Sequence, residues 1–434
     1  MVESTIHFTV PQSLDARFDL PDATSDGGLV WLAEAEQHLG LGAALAAALP
    51  EWRHGAIRHA RATLIRQRIF QIACGYADQN DADTLRDDPL LQQVCGSDGP
   101  LASQPTLSRL ENAVDRTACY RLSQALLQVY LQERERPGRP QHIRLDFDGT
   151  DDPVHGQQEG SGYHGYYRQH MYFPLLVFDG DTDQLLAAVL RPGTVHAGHG
   201  ALAVLKRLVR ALRARWPGVT IELRADSGFA LPALYDYCEA EGLTYTIGLI
   251  PNTRLEALAA DLMAEAERQQ TETHAEKVRL LAETTYQAGS WDHERRVVYK
   301  AEALPKGPNT RFVVTNRSDP PHDLYAWYVR RGTSEQWIDD FKAACQADRL
   351  SDHRFWANQF RLLLHAAAYW LLDTLRRWLL QRGVPRCELH TLQLLVLKIG
   401  GWVQRLTDRV RLHLAQSHPG QALWHLLATR SGRP

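Results

Sequence analysis

The segment from His142 to Ile250 constrains the fold most, because its hydrophobic pattern alternates between two periods. Alternating or continuous apolar runs predict strands at residues 142–148, 172–178, 185–190, 219–225 and 243–250. Apolar residues that recur every three or four positions predict amphipathic helices at 200–216 and 232–241. The order is strand, strand, strand, helix, strand, helix, strand, which predicts an α/β sheet.

The connections between the first three strands are short, which predicts that these strands are antiparallel neighbours. One of them is the turn Asp179-Gly180-Asp181. The whole order is that of a ribonuclease-H-like core. The sequence therefore predicts an α/β fold in which a ribonuclease-H-like catalytic core carries a partly β insertion and is flanked by helical N- and C-terminal regions.

Changes in pattern divide the rest of the chain. Helical periodicity runs through 28–132, and the Pro- and Gly-containing run Glu133–Pro140 predicts a linker. The segment from Pro251 to Leu324 begins helically and continues with strand-like runs, and helical patterns return from Tyr325 to the end. The predicted domains are a helical N-terminal region (1–140), the first part of the core (141–250), an inserted subdomain (251–324), the completion of the core (325–380) and a basic helical region (381–434).

The total charge hides a gradient along the chain. The 434 residues carry a formal net charge of −3, which by itself argues against a nucleic-acid partner. However, residues 1–100 contain fourteen Asp and Glu against seven Arg, whereas residues 354–434 contain twelve Lys and Arg against three Asp and Glu. A basic C-terminal segment of this kind favours an anionic polymer as partner.

Cysteine usage and hydropathy indicate the compartment. The six cysteines include no pair at CxxC spacing, which argues against a zinc ribbon or a disulfide framework. The best apolar stretch, from Leu362 to Leu372, contains His365 and is too short to span a bilayer. The N-terminal residues also lack a signal-peptide pattern. We therefore expect a soluble cytoplasmic protein without a membrane partner.

Two aspartates stand at the carboxyl ends of predicted strands. Asp148 ends the first strand and Asp226 follows the fourth. Ligand sites of α/β sheets lie at the carboxyl ends of strands, so we expect these side chains to face one site. Asp146 shares the face of Asp148 and is the main competitor, although pairing with Arg144 or with a neighbouring strand is the favoured role for Asp146.

A third acid is predicted on a helix. If the helix is continuous, Glu335 shares a narrow sector with Tyr328, Arg331 and Lys342. A second face carries Trp337, Ile338 and Phe341, which suits packing on the sheet. In the alternative, the capping-box pattern Thr333-Ser-Glu-Gln336 starts the helix, so that Tyr328 and Arg331 precede it.

Three carboxylates suit one kind of chemistry. In-line cleavage of a phosphodiester uses two divalent ions about 3.5 to 4 Å apart, which stabilise the attacking and the leaving oxygen. Hard carboxylate oxygens are suitable ligands for Mg²⁺. Neighbouring cations such as Arg331 and Lys342 suit the phosphates of a bound strand.

Four residues around Glu335 carry a family resemblance. They match the pattern Tyr-x2-Arg-x3-Glu-x6-Lys at every position: Tyr328, Arg331, Glu335 and Lys342. The pattern resembles the YREK signature of one group of DDE transposases of bacterial insertion sequences. The run LDFDGTDDPVHGQQEGSGYHGYYRQH is similar to the first-aspartate region of that group, and RADSGF to the second. In order of features, the resemblance covers about residues 30 to 380.

The resemblance implies roles for individual residues. It implies a catalytic triad that also binds two Mg²⁺ ions, with Mn²⁺ as a substitute: Asp148, Asp226 and Glu335. It implies DNA contacts at five further residues: Tyr328, Arg331, Lys342, Trp291 and Arg109. Within this set, Trp291 is expected to stack on a flipped base at the DNA end.

The resemblance also implies partners. These are double-stranded DNA, as element ends and as target, and a second copy of the chain in a homodimeric DNA complex, associated with the nucleoid. The N-terminal helices and the basic C-terminal region are expected to bind terminal inverted repeats. For the N-terminal helices this requires that the arginines from Arg58 to Arg68 form one basic face.

Two other functions remain open from the sequence. A ribonuclease-H-like nuclease without strand transfer would cleave DNA but yield no joined products. A catalytically silent DNA-binding regulator would bind element ends without metal-dependent turnover, although the complete set of acids argues against it. The preferred prediction is that the protein is a transposase that catalyses Mg²⁺-dependent strand cleavage and strand transfer.

Overall fold

The computed structural model describes residues 5–8, 10 and 13–429, and the chain divides into two compact units. The terminal unit contains the described residues of 1–113, 343–346 and 367–434. The central unit contains residues 114–342 and 347–366. The boundaries of the predicted domains stay a prediction, because this division groups both ends of the chain rather than following the linear segments.

The helices alternate with strands only in the middle of the chain. They are α1 (Leu29–Leu39), α2 (Leu41–Ala48), α3 (Arg61–Ala73), α4 (Asp81–Leu85), α5 (Pro89–Cys95), α6 (Gln104–Asn112), α7 (Arg116–Glu135), α8 (Ala201–Arg215), α9 (Pro232–Ala240), α10 (Thr253–Thr273), α11 (Pro321–Val329), α12 (Thr333–Cys345), α13 (Phe355–Leu380), α14 (Leu389–Leu392) and α15 (Gln421–Ala428). Short 3-10 turns lie at Ser227–Phe229 and Arg330–Gly332, and a π-helical turn lies at Gln393–Leu397.

The strands are β1 (Ile6–Phe8), β2 (Leu14–Ala16), β3 (Ala23–Thr24), β4 (His142–Gly149), β5 (Asp152–Pro153), β6 (Gly162–His164), β7 (Gln169–Tyr172), β8 (Leu175–Asp179), β9 (Leu185–Val189), β10 (Thr220–Ala225), β11 (Thr244–Leu249), β12 (Val278–Tyr286), β13 (Arg295–Leu304), β14 (Gly307–Thr315), β15 (Gly401–Arg405) and β16 (Val410–Leu414). Eight of them form one mixed sheet in the order β12-β13-β14-β11-β10-β4-β8-β9.

The middle of this sheet follows the predicted order. Strand β4 pairs in parallel with β10, and β10 pairs in parallel with β11. On its other side β4 pairs antiparallel with β8, and β8 pairs antiparallel with β9. The prediction of three adjacent antiparallel strands is therefore confirmed. The apolar face of β4 is fully buried, which stabilises the sheet by about 1.5–3 kcal/mol for each large side chain.

The segment predicted as an inserted subdomain continues this sheet. Strand β14 pairs antiparallel with β11, β13 pairs with β14, and β12 forms the edge. The helical start of the segment is α10. Strand-like runs are predicted in this segment at 284–287, 295–299 and 311–315; the first overlaps β12, and the other two lie within β13 and β14. Because the strands share the core sheet, this segment extends the central unit.

The prediction of helices from Tyr325 to the end of the chain is wrong for residues 401–414. There β15 and β16 form an antiparallel hairpin, and β3 pairs with β15 to complete a three-stranded sheet. Trp402 of β15 stacks on His413 of β16, with 4.3 Å between the ring centroids. Within the described residues, no helix combines the length and apolarity needed to cross a membrane.

Candidate active site

The two strand-end aspartates are neighbours because their strands are. Strands β4 and β10 run in parallel, with Ala225 opposite Phe147. Asp148 belongs to β4, and Asp226 follows β10 directly and accepts a hydrogen bond from the backbone N–H of Gly228 at 2.8 Å. The structure thus brings together the two carboxylates that the sequence placed at strand ends.

The same register decides the role of the competing aspartate. Arg224 of β10 lies opposite Asp146 of β4 and donates two hydrogen bonds to its carboxylate, at 2.7 and 2.6 Å. Both side chains are fully buried. Two residues earlier on each strand, Arg144 of β4 lies opposite Glu222 of β10, and its Nε lies 3.2 Å from the Glu222 carboxylate. Asp146 therefore pairs with the neighbouring strand, as favoured from the sequence, and Asp148 is the one whose carboxylate faces the candidate site.

Asp148 is a buried carboxylate with two donors on one oxygen. Arg331 Nη1 donates to Oδ2 at 2.9 Å, and the Ser334 hydroxyl donates to the same atom at 3.0 Å. Burial raises the pKa of Asp148 to about 6; Arg331 and Ser334 oppose this rise, whereas the negative charges of Asp226 and Glu335 add to it. The site thus holds a carboxylate whose charge is costly to maintain.

The signature residues do not lie on one continuous helix. Helix α11 ends at Val329, a 3-10 turn spans Arg330–Gly332, and α12 begins at Thr333. The alternative in which the helix starts at Thr333 is confirmed, and the continuous helix is wrong because the turn interrupts it. Thr333 itself has helical dihedral angles, and its hydroxyl donates to the backbone oxygen of Arg330 at 2.7 Å instead of forming a capping box. The packing face is as predicted: Trp337, Ile338 and Phe341 are buried. The ring of Trp337 lies 5.4 Å from that of Phe178 in β8, so α12 packs on the sheet.

The charged residues of this segment have different surroundings. The Glu335 side chain is 69% exposed, and its Oε1 lies 3.8 Å from Nη2 of Arg331. Lys342 donates to Asp151 Oδ1 at 2.9 Å. Burial acts to raise the pKa of Asp151, but the hydrogen bond and charge of Lys342 outweigh it, so the pKa lies below its ordinary value. Ser334 and Asp151 are site residues that sequence reasoning missed. Their positions beside Glu335 and just after Asp148 were the available signal.

The signature tyrosine is turned towards the sheet. Burial raises the pKa of Tyr328 to about 12, and its hydroxyl donates to the backbone oxygen of Ala225 at 3.3 Å. A Cβ on Gly248 would lie 2.8 Å from this hydroxyl and 2.8 Å from the backbone nitrogen of Ser227. A glycine inside a strand indicates such a close approach, and this signal was present in the sequence.

Arg191 is a further residue that sequence reasoning missed. Its guanidinium is buried after β9 and donates to the backbone oxygens of Phe173 (2.7 Å), Ala197 and His199 (3.1 Å). Burial lowers the pKa of Arg191 to about 10, and the charge of Asp226 opposes this change. In the described part of the chain, Arg191 forms no ion pair with a carboxylate. The buried cation is favoured by the charge of Asp226, by these carbonyl oxygens and by the Phe173 ring, whose centroid lies 4.9 Å from the guanidinium.

The donor set fits a hard divalent cation. The structure shows no hydrogen bond to Oδ1 of Asp148 or Oδ2 of Asp226 from any described residue, and both are carboxylate oxygens of the kind that bind Mg²⁺. Among the described residues, no three His, Cys, Asp or Glu side chains are close enough to hold a metal ion together. The exposed Glu335 is thus not assembled with the two aspartates.

Two predicted DNA contacts have different outcomes. Trp291 is only 7% exposed, and its ring makes edge contacts with Tyr235 (5.5 Å) and Tyr286 (5.6 Å). The Arg295 guanidinium lies 5.5 Å from the ring centroid. The predicted stacking of Trp291 on a base is therefore not compatible with its position, because the protein covers the ring. Arg109 is exposed on α6, and its role stays a prediction.

The arginines of the N-terminal helices do not form one basic face. Arg61 and Arg66 lie near Glu51 (3.7 Å) and Glu36 (3.2 Å), respectively. Arg68 is buried 3.4 Å from Glu111. These three arginines all lie on α3, so the condition set for DNA binding is not met by this helix, and we no longer assign α3 that role. The excess of acid in this part of the chain explains the result, because Arg61, Arg66 and Arg68 each have a carboxylate nearby.

A comparison with protein families decides the kind of protein. The family model described as "Transposase DDE domain group 1" matches residues 8–431. The chain belongs to this transposase family. The match covers nearly all of the transposase, including both strand-end aspartates and the α11–α12 segment. A comparison with curated protein sequences gave no match.

Solved structures similar to the transposase include two transposase complexes. The piggyBac transposase synaptic complex with hairpin DNA has 11% sequence identity and a TM-score of 0.43, and the match covers 95% of this chain and 83% of that one. The Mos1 transposase paired-end complex with left transposon end has 14% identity and a TM-score of 0.18, covering 52% and 68%. The family assignment rests on the sequence match.

Proposed function

We propose that this transposase binds the ends of a DNA element, cleaves the strand to release a 3′-hydroxyl and transfers that end to target DNA. Asp148, Asp226 and Glu335 form its DDE triad. One observation carries the proposal. Two acids lie at the ends of adjacent parallel strands, and Arg331 and Ser334, from the segment that bears Glu335, donate hydrogen bonds to one of them, Asp148.

The strand arrangement supports a ribonuclease-H-like core. The first core strand, β4, is central, the second and third lie antiparallel on one side, and the fourth and fifth lie parallel on the other. This order places the carboxyl ends of β4 and β10 together, where α/β sheets hold their ligands. We further propose that the transposase is of the YREK group found in bacterial insertion sequences, because its four signature residues all lie in the α11–α12 segment.

We propose Mg²⁺, with Mn²⁺ as a substitute, as the cofactor and two ions as its number. Asp148 and Asp226 would hold them with their free oxygens, and Glu335 would complete the ligand set. When bound, the ions supply the charge that activates the attacking oxygen and stabilises the leaving one. The role of the protein is to place the carboxylates of Asp148 and Asp226 at the ends of adjacent strands, with Glu335 on the neighbouring helix.

The cations of the segment have a second role in the proposal. Arg331 and Lys342 already lie at the site, paired with Asp148 and Asp151. We propose that they contact the phosphates of the bound strand, because a guanidinium fork and an ammonium both suit phosphate oxygens. The Tyr328 hydroxyl donates to the backbone oxygen of Ala225 and thereby holds the end of β10, next to Asp226. Double-stranded DNA and a homodimer in the DNA complex complete the proposal.

Strand nicking tests the proposal. Duplexes that carry the DNA flanking the gene on either side are incubated with the full-length protein in Mg²⁺ or EDTA, and nicked and joined products are separated. We expect Mg²⁺-dependent nicking that falls at least ~100-fold in Glu335→Gln, whereas DNA binding persists. Glu267→Gln, an exposed position on α10, is the matched control and keeps wild-type activity.

The products discriminate between the candidate functions. Nicked and joined strands support a transposase, and nicked strands without joined products indicate a nuclease. Cleavage that is undiminished in Glu335→Gln excludes the DDE mechanism.

A further inference from the structure

The hairpin formed by β6 and β7 exposes two large aromatic rings. Tyr166 is 85% exposed and Tyr163 is 55% exposed. We call residues 162–172 the tyrosine hairpin. Two tyrosine rings this accessible on one short hairpin are typical of a surface with a partner, because the ring offers apolar area and the hydroxyl a polar group.

The tyrosine hairpin lies beside the strand-end carboxylates. Strand β7 pairs with β5, which begins four residues after Asp148. Gln169 of the hairpin donates to Asp151 Oδ2 at 2.8 Å, and Lys342 of α12 donates to the other oxygen of Asp151. Burial raises the pKa of Tyr167 to about 12, and the negative charges of Asp151, Asp148 and Asp226 contribute to the rise. The tip of the hairpin is therefore within electrostatic reach of both aspartates.

The exposed rings are held in place by their neighbours. Tyr166 packs edge to face on the half-buried Tyr167 at 5.1 Å, and Tyr167 in turn contacts Phe173 at 5.8 Å. Tyr163 makes a similar contact with His170 at 5.7 Å. Little side-chain freedom is therefore lost when a ligand binds, which favours affinity.

The charge at the tip identifies the kind of partner. Arg168 occupies the turn in the left-handed region, at φ 55°, and its backbone N–H donates to His164 O at 2.8 Å. Its side chain is exposed, and within the described residues it has no ion pair. Aromatic rings beside an unpaired cation suit single-stranded nucleic acid, in which each nucleotide offers a flat base and a phosphate. A fully paired duplex offers no such face away from its ends.

We propose that the tyrosine hairpin binds unpaired nucleotides of the DNA strand next to the carboxylates, with Tyr166 and Tyr163 stacking on bases and Arg168 contacting a phosphate. The inference rests on the proposed function, since it takes the substrate to be DNA. It assigns the contact to a segment far along the chain from Trp291, whose ring is buried. Because the hairpin lies beside Asp151 and Asp148, it would hold the DNA strand next to the phosphate that reacts.

Binding of a defined oligonucleotide tests this inference without catalysis. The probe is a single-stranded 12-mer of thymidine with one central 2-aminopurine, whose fluorescence falls when it stacks, and the comparison is a blunt duplex of equal length, both in EDTA. Tyr166→Ala is expected to weaken binding of the single strand about 5- to 150-fold and to reduce the fluorescence change, because Tyr163 remains. Binding of the duplex is expected to change less than about twofold.

Two variants separate stacking from folding. Tyr166→Phe keeps the ring and is expected to bind the single strand like the wild type. Tyr120→Ala removes another exposed tyrosine, on α7, and is the matched control with wild-type binding. Thermal melting of each variant confirms that the fold is intact.

The outcomes distinguish this inference from the proposed function. Single-strand binding that is equal in Tyr166→Ala and wild type, or absent in wild type, overturns the inference, and nicking activity in the same preparation then still supports the transposase mechanism. Loss of stacking in Tyr166→Ala supports the inference even if no preparation nicks DNA, which would count against the mechanism alone.

Discussion

Replacement of Asp148 by Asn should make the chain gain stability relative to the wild type as the pH rises, while it removes a proposed metal ligand. The Asp148 carboxyl has a pKa of about 6 in the folded chain, against an ordinary value of 3.8. The folded state therefore binds this proton more tightly than the unfolded state, and the group lowers stability as the pH rises through this window. Asn resembles the protonated carboxyl, and its amide oxygen still accepts from Arg331 and Ser334.

The magnitude follows from the two pKa values. Each unit of difference between the folded and unfolded pKa corresponds to 1.36 kcal/mol, so well above pH 6 the ionised carboxylate costs about 3 kcal/mol of folding free energy. At pH 4 most of this cost is absent, because the folded form is protonated. The stability of Asp148→Asn minus that of the wild type should therefore increase by about 2 kcal/mol between pH 4 and pH 8. For a unit of this size that is about 4 to 8 °C in melting temperature.

The assay is thermal unfolding in EDTA, with the wild type and Asp148→Asn compared at each pH from 4 to 8. Groups that titrate equally in both proteins cancel in the difference, so its pH dependence reports Asp148. Added Mg²⁺ should raise the melting temperature of the wild type more than that of the variant, because the charge of the carboxylate then has a partner. A difference between the two proteins that does not change with pH would refute this reasoning.

Three other variants give distinct expectations. Asp146→Asn, two residues away on the same strand, leaves the buried Arg224 without its carboxylate and should destabilise the chain by about 3–5 kcal/mol in urea unfolding; a loss below about 1 kcal/mol would contradict the ion-pair assignment. Arg191→Met removes the donor that holds several backbone oxygens near Asp226, and should lower nicking at least ~10-fold with DNA binding unchanged and partial recovery in Arg191→Lys; equal nicking would exclude this positioning role. Gly248→Ala places a methyl group against the Tyr328 hydroxyl and should cost about 1–3 kcal/mol by thermal melting, whereas an unchanged melting temperature would show that the strand can shift freely.

Local patterns predicted much of the catalytic unit. The order of the core strands, and the faces that carry Asp146 and Asp148, follow from the twofold period of a strand, which depends on sequence neighbours alone. Where local signals compete, the sequence left alternatives, as at Thr333. The structure resolved this one in favour of a helix start after a 3-10 turn. The C-terminal hairpin was missed because its short alternating runs were interpreted as part of a basic helical region.

Sequence by itself determined that this chain has acids at the ends of two core strands and a spaced set of Tyr, Arg, Glu and Lys after them. Only the tertiary structure decided what each side chain meets. The register of β4 on β10 gives Asp146 a bidentate arginine, and the α11–α12 segment places Arg331 on Asp148. Long-range packing likewise buries Trp291 and leaves Tyr166 exposed. The physical reason is that periodicity is a property of adjacent residues, whereas burial and charge pairing depend on residues distant in the chain.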